Sequence, residues 1–257
     1  MSSDSKMPLI EHLSELRTRI IISLVSVLVG FVLSFSFSEQ MLEFLMLPMR
    51  KIAVLGFKFP FLNFVDRAGE PLKLIFTAPA EAFWMHFKIA FVAGFILVIP
   101  IVLYQVWRFI SPGLHENEKK YVVPFIFVGS GLFALGAMFC FFIVLPFAMN
   151  FLLTYKTGSL IPMISVGNYI DFCLKFILAF SIIFELPLII VFLARMGIIS
   201  PNTLARNRKW AVLLAFVAAA ILTPTPDAFN QTLMAVPIIL LFEGGILASR
   251  IFVRKKQ

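Results

Sequence analysis

Phe180-Ser181-Ile182-Ile183-Phe184-Glu185-Leu186-Pro187-Leu188-Ile189-Ile190-Val191-Phe192 is an apolar run with a carboxylate at its centre. In lipid, a charge at the middle of a helix costs about 3 kcal/mol on insertion scales. Pro187 follows two residues later; it removes a backbone donor and loosens the turn before it. A polar group and freed carbonyls at one depth cannot both face hydrocarbon. We read this helix as lining a concave, partly hydrated face. The alternative is a protonated Glu185 that is hydrogen-bonded inside a helix bundle.

Composition says what surrounds that helix. Sixty per cent of the 257 residues are hydrophobic, 14% are charged, and 31 are Phe. Soluble domains are not built this way, so the class is an all-α polytopic membrane protein. Met1 to Arg19 is polar and no small-residue cleavage site follows the first apolar run, so that run reads as a retained span. Cys140 and Cys173 both lie in apolar segments and read as buried thiols, since structural zinc needs four clustered ligands. The net charge of +8 suits anionic lipid surfaces rather than nucleic acid.

The whole chain, 1–257, reads as a single integral membrane domain. Residues 1–19 place Leu9, Leu13 and Leu16 at helical spacing among charges, with Pro8 suited to a first turn. They predict a short amphipathic entry helix on the cytoplasmic surface, running into the first span. Six spans follow, at about 20–38, 83–107, 121–149, 169–196, 210–223 and 228–249. The fifth is short. Pro224 to Asp227 alone separate it from the sixth, which requires a tight helical hairpin. No repeat relates the two halves, which counts against many carrier architectures.

Lys and Arg orient the spans. Fourteen lie on the side of the termini: Lys6, Arg17, Arg19, Arg108, Lys119, Lys120, Arg195, Arg206, Arg208, Lys209, Arg250, Arg254, Lys255 and Lys256. Seven lie opposite, among them Lys175, which with Lys88 is a candidate to sit inside a span. Both termini are therefore expected in the cytoplasm. The external segment 39–79 is rich in proline and aromatic residues and is expected to form a small cap.

Signatures of catalysis are missing. His115-Glu116-Asn117-Glu118-Lys119 lacks the second His of a metalloprotease motif, and no phosphate-cradling loop occurs. No metal site, cofactor or enzymatic activity is expected, and any energy source lies outside the chain. What stands out is acid placement. Glu15 lies on the entry helix, and Glu116 and Glu118 lie in the first cytoplasmic loop, 108–120, just after Trp107-Arg108-Phe109. Carboxylates beside apolar residues suit a basic peptide with a hydrophobic neighbour. The same acids would also serve simply to balance Arg108, Lys119 and Lys120 on a solvated loop. A rival use of Glu185 is as the titrating group of a proton-coupled small-solute carrier. An intramembrane hydrolase would need a nucleophile–base pair, and none can be named.

Glu11-His12-Leu13-Ser14-Glu15-Leu16-Arg17, Ala78-Pro79-Ala80-Glu81-Ala82-Phe83, the run Pro100 to Leu114, Phe184-Glu185-Leu186-Pro187, and Leu222-Thr223-Pro224 with Pro226-Asp227 and Gln231 together resemble the TatC family. This is the polytopic subunit of the twin-arginine protein translocase. The pieces span nearly the whole chain in the family's order. The resemblance implies six helices in a cupped arrangement in the bacterial inner membrane. It implies a cytoplasmic site for signal peptides bearing two consecutive arginines, and export of folded cargo driven by the proton-motive force. By motif position Glu15 and Glu118 would meet the arginines, Phe109 and Leu114 would shape the apolar surroundings, and Arg17 would position the entry helix. Pro48 is carried over as a structural residue, as is Pro187. TatA-like and TatB-like single-span subunits would meet the last two spans near Asp227, Gln231 and Thr232, within a larger complex that holds several copies of the chain. Glu185 would face the cavity. The long aromatic external segment and the extra Glu116 depart from the family pattern.

Overall fold

The structure, a computed structural model, describes residues 9–55, 62–66, 74–111, 122–154, 163–223 and 227–253. In chain order the described elements are α1 (Leu9–Phe35), α2 (Ser38–Leu45), α3 (Leu47–Arg50), β1 (Lys51–Leu55) and β2 (Leu62–Asp66). They are followed by α4 (Glu81–Ile110), α5 (Val122–Phe139), a π-turn (Cys140–Val144), α6 (Leu145–Thr154), α7 (Val166–Ile183), α8 (Leu186–Arg195), α9 (Pro201–Arg206), α10 (Arg208–Leu222) and α11 (Ala228–Val253). Among the described residues, five stretches are long and apolar enough to cross a membrane: Glu11–Phe35, Glu81–Ile110, Val122–Thr154, Val166–Arg195 and Ala228–Phe252. The sixth expected span is α10, whose 15 residues reach only about 22 Å.

The entry helix differs from expectation. It does not break from the first span; α1 is one rod of 27 residues, about 40 Å long. Nothing between Ser14 and Ile22 interrupts it, because Ser14, Thr18 and Ser23 return their hydroxyls to carbonyls one turn back instead of capping a new helix. Its beginning therefore stands in line with the span.

Helix α1 packs antiparallel on α4, and two glycines set the spacing. A Cβ on Gly30 would lie 2.6 Å from the carbonyl oxygen of Gly94, so the two backbones touch there. A second close crossing joins α5 to α7, where a Cβ on Gly136 would lie 2.6 Å from the Phe180 carbonyl oxygen. Long-range packing is densest away from the mouth formed by the start of α1 and the end of α4. The main core holds Met85, Ile89, Leu145, Met149, Ile170, Phe176, Phe180, Ala219 and Met234. These come from the early turns of α4 and α11, from along the length of α7, and from α6 and the late turns of α10.

Segment 39–79, expected to form a cap, carries a feature that its composition does not signal. β1 and β2 form an antiparallel ribbon in register Lys51↔Asp66 to Leu55↔Leu62. The preceding helices are pinned from below, with the Tyr169 hydroxyl donating to the Leu45 carbonyl at 2.6 Å. Pro48 is buried within α3.

A carboxylate clasp ties this side together. Glu81, at the start of α4, accepts hydrogen bonds from Thr77 N and Oγ1, Ala78 N, Gly167 N and the Ser165 hydroxyl. Beside it, Ile75 and Ser165 form a parallel bridge through Ile75 N to Ile164 O and Val166 N to Ile75 O, both 3.0 Å.

Candidate functional site

At the mouth, the antiparallel pairing of α1 and α4 brings the N-terminal turns of one against the C-terminal turns of the other. His12 stacks on Phe109 with ring centroids 4.4 Å apart. Glu15 and Arg19 lie one turn apart on α1 and pair through Glu15 Oε1 and Arg19 Nη2 at 3.0 Å. Arg19 also reaches α4, its Nη1 lying 3.4 Å from Gln105 Oε1. Gln105 is buried, and the side chains of Arg19 and Glu15 are only 19% and 18% exposed. The pairing is incomplete. Glu15 Oε2 and Arg19 Nε are buried with no hydrogen-bond partner among the described residues. A buried carboxylate oxygen without a donor is costly to leave so, and it is a ready acceptor for a cationic donor supplied from outside.

Phe109 thus meets α1 through His12, three residues before Glu15. Arg17 projects from the other side of α1 and is exposed. Leu114, Glu116 and Glu118 lie outside the described residues. Below Phe109, Trp107 stacks on Phe125 at 5.0 Å and meets Phe192 edge-on at 4.5 Å, which fixes the ends of α4, α5 and α8 to one another.

The break in the fourth span falls where Pro187 requires it. α7 ends at Ile183, Phe184 and Glu185 form a turn, and α8 restarts at Leu186 with Pro187 in its first turn. Glu185 is partly buried. A Cβ on Gly129 would lie 3.2 Å from its Oε2 and 3.1 Å from the side chains of Leu103 and Leu188. The acid therefore sits where α4, α5 and α8 converge. Gly129 is seven residues into α5 and Leu103 seven from the end of α4, which sets this level about 10 Å below the mouth. Glu185 Oε1 has no hydrogen-bond partner among the described residues.

On the last hairpin, Asp227 receives Asn230 N at 2.7 Å and Asn230 Nδ2 at 2.9 Å, so it caps α11. Gln231 donates to the Phe216 carbonyl at 3.2 Å and joins α11 to α10. Thr232 bonds back to Ala228 and is exposed. The exposed apolar side chains of α10 include Leu213, Leu214, Val217 and Ile221.

Three polar contacts were not among the expected site residues. Arg19 with Gln105 is the first; the four-residue spacing of Glu15 and Arg19 was the available signal. Lys88 lies within the second span, and its Nζ pairs with both oxygens of Asp171 on α7, at 2.7 and 2.9 Å. Arg208, at the start of α10, forms a two-pronged pair with Glu243 of α11 at 2.6 and 2.8 Å. The partners of the last two are far apart in sequence, so no local pattern reveals them. Among the described residues no cluster of metal-binding side chains occurs.

Comparison with known proteins follows the same geometry. The family described as "Sec-independent protein translocase protein (TatC)" matches residues 11–237. A protein of that name from Desulforapulum autotrophicum is 39% identical over 254 residues, 99% of this chain and 88% of its own. One from Aquifex aeolicus is 40% identical over 253 residues, 98% of each chain. A solved structure titled as the twin-arginine translocase receptor TatC superposes with a TM-score of 0.78 at 38% identity, covering 95% of this chain and all of that one.

Proposed function

The chain belongs to the TatC family of Sec-independent protein translocase proteins, and on that footing we propose that its mouth receives the arginine pair of a signal peptide through Glu15 and Glu118. It is a multi-pass membrane component of a protein translocase. The observation that carries the peptide reading is the buried Oε2 of Glu15, without a hydrogen-bond partner among the described residues, one turn along α1 from the His12–Phe109 stack. A guanidinium is the cation that such an oxygen holds best, because its hydrogen bonds are directional and charge-assisted. Phe109 and Leu114 supply the apolar neighbourhood, Glu116 shares the guanidinium contacts, and Arg17 positions the helix.

The finer assignments build on this reading. Six spans place both termini in the cytoplasm of a bacterial inner membrane, with α10 as a short fifth crossing and 39–79 as an external cap. TatA-like and TatB-like single-span subunits dock on α10 and α11, where Leu213, Leu214, Val217 and Ile221 offer an apolar face and Thr232 a polar notch. Folded cargo moves at the expense of the proton-motive force, in a complex with several copies of the chain, and the chain itself performs no chemistry. The family match leaves the solute-carrier reading of Glu185 without support.

The test is a photo-crosslinking probe at Glu118 in membranes that hold the assembled complex. A peptide with two arginines should be labelled, and its two-lysine counterpart should not. Equal labelling of both peptides overturns guanidinium recognition. A cysteine at Glu185 tests the inner half of the reading: it should react with an aqueous maleimide while cargo is engaged, and inertness in every condition would remove Glu185 from the path.

A further inference from the structure

We propose that Arg19 sets the preference of this mouth for arginine over lysine, by holding one oxygen of the Glu15 carboxylate and cancelling its net charge. The proposal rests on Glu15 being a signal-peptide contact. Three observations carry it. Arg19 touches Glu15 at one point only, Nη2 to Oε1 at 3.0 Å, rather than as a two-pronged fork. Its other terminal nitrogen leans toward Gln105 Oε1 on α4 at 3.4 Å, which keeps the guanidinium from rotating fully onto the carboxylate. Glu15 Oε2 and Arg19 Nε are both left buried and unmatched among the described residues.

The physical consequence concerns what a second cation gains on arrival. A lone Glu15 would attract any positive charge, and a lysine ammonium would profit nearly as much as a guanidinium. With Arg19 in place the pair is neutral, so the long-range attraction is largely cancelled. What remains on offer is one oxygen that accepts hydrogen bonds in fixed directions. Lysine is a strongly hydrated point charge; it must shed water for an acceptor that no longer carries net charge. Arginine is more weakly hydrated and planar. It can place N–H groups on Oε2 while its faces lie against Arg19 or the His12–Phe109 stack. Arg19 thus converts a charge detector into a shape detector. A purely structural Arg19, which only ties α1 to α4 through Gln105, would affect all peptides alike.

The experiment measures binding of two otherwise identical signal peptides, one with two arginines and one with two lysines, to the full complex in lipid nanodiscs. Arg19→Gln should tighten the two-lysine peptide and shrink the arginine-to-lysine affinity ratio by about tenfold. Arg19→Lys keeps the charge and should preserve the ratio to within about threefold. An unchanged ratio in Arg19→Gln, with both affinities falling together, overturns the proposal and leaves a structural role. If Arg19→Gln does not assemble, Arg19→Lys decides alone: a collapsed ratio there overturns the charge argument. A wild-type complex that does not discriminate between the peptides would sink the reading of Glu15 itself, which is a separate outcome.

Discussion

Glu15 and Glu185 each leave one carboxylate oxygen without a donor among the described residues, but the two acids answer to different surroundings. Glu15 has a cationic neighbour and lies at the mouth; Glu185 lies about a further 10 Å in, among Leu103, Gly129 and Leu188. Removing the charge of Glu15 forfeits a hydrogen bond to a charged group, worth about 1.5–3 kcal/mol. Glu15→Gln should therefore weaken twin-arginine peptide binding by roughly tenfold to a hundredfold, read by titration with a fluorescent peptide. Glu185 should show the opposite balance between stability and use. Glu185→Leu removes an unmatched polar group from an apolar junction, so it should raise the thermal midpoint of the purified chain in detergent while lowering cargo export. Both acids are legible in the sequence, one from an acid on an amphipathic entry segment and the other from an acid in an apolar run. Arg19 is less so, because an i, i+4 pair on a helix is usually an ordinary surface contact.

At the scale of elements, two features hold helices together. The crossing of α1 on α4 depends on Gly30 and Gly94, whose backbones leave no space for a side chain. Gly30→Leu should force the pair apart at a cost of about 1–3 kcal/mol or more, and should disturb the Glu15–Gln105 neighbourhood with it. Loss of peptide binding together with lower thermal stability would show both effects. The second feature is the Lys88–Asp171 pair between α4 and α7. Lys88→Met leaves an acid within a span without its cation, a penalty of about 2.5–3.5 kcal/mol on insertion scales. The double variant Lys88→Met with Asp171→Leu should recover most of that loss in thermal unfolding. Element positions are largely legible in the sequence because apolar length marks a span, and Pro187 marks the break in the fourth. The continuity of α1 and the β1–β2 ribbon are not: the first is seen only in its unbroken backbone, the second only in the pairing of two short segments.

Over the whole molecule, burial is uneven. The most hydrophobic window of the first span is only 11% buried in the chain, against 50% for the third. The main core lies away from the mouth, where the Trp107–Phe125–Phe192 rings instead hold α4, α5 and α8 together. Helix α10 adds a second asymmetry. As the fifth crossing proposed above, at about 22 Å it would fall short of a hydrocarbon core of about 30 Å, and the bilayer around it would thin to match. Export by the reconstituted complex should therefore be faster in vesicles of short-chain lipids than in thick ones, and indifference to thickness would remove this role from α10. The outer clasp has a different consequence, for biogenesis. Glu81 and Ser165 stand 84 residues apart, so when α4 leaves the ribosome the acid has Thr77 and Ala78 but not yet Ser165 and Gly167, the donors to its other oxygen. At about 5–20 residues per second, the acid waits roughly 4–17 s for the loop that will quench it. During that interval the nascent first half is a natural client for an insertase or holding factor, and a stalled chain ending before Ser165 should be degraded where a chain reaching Ile183 survives.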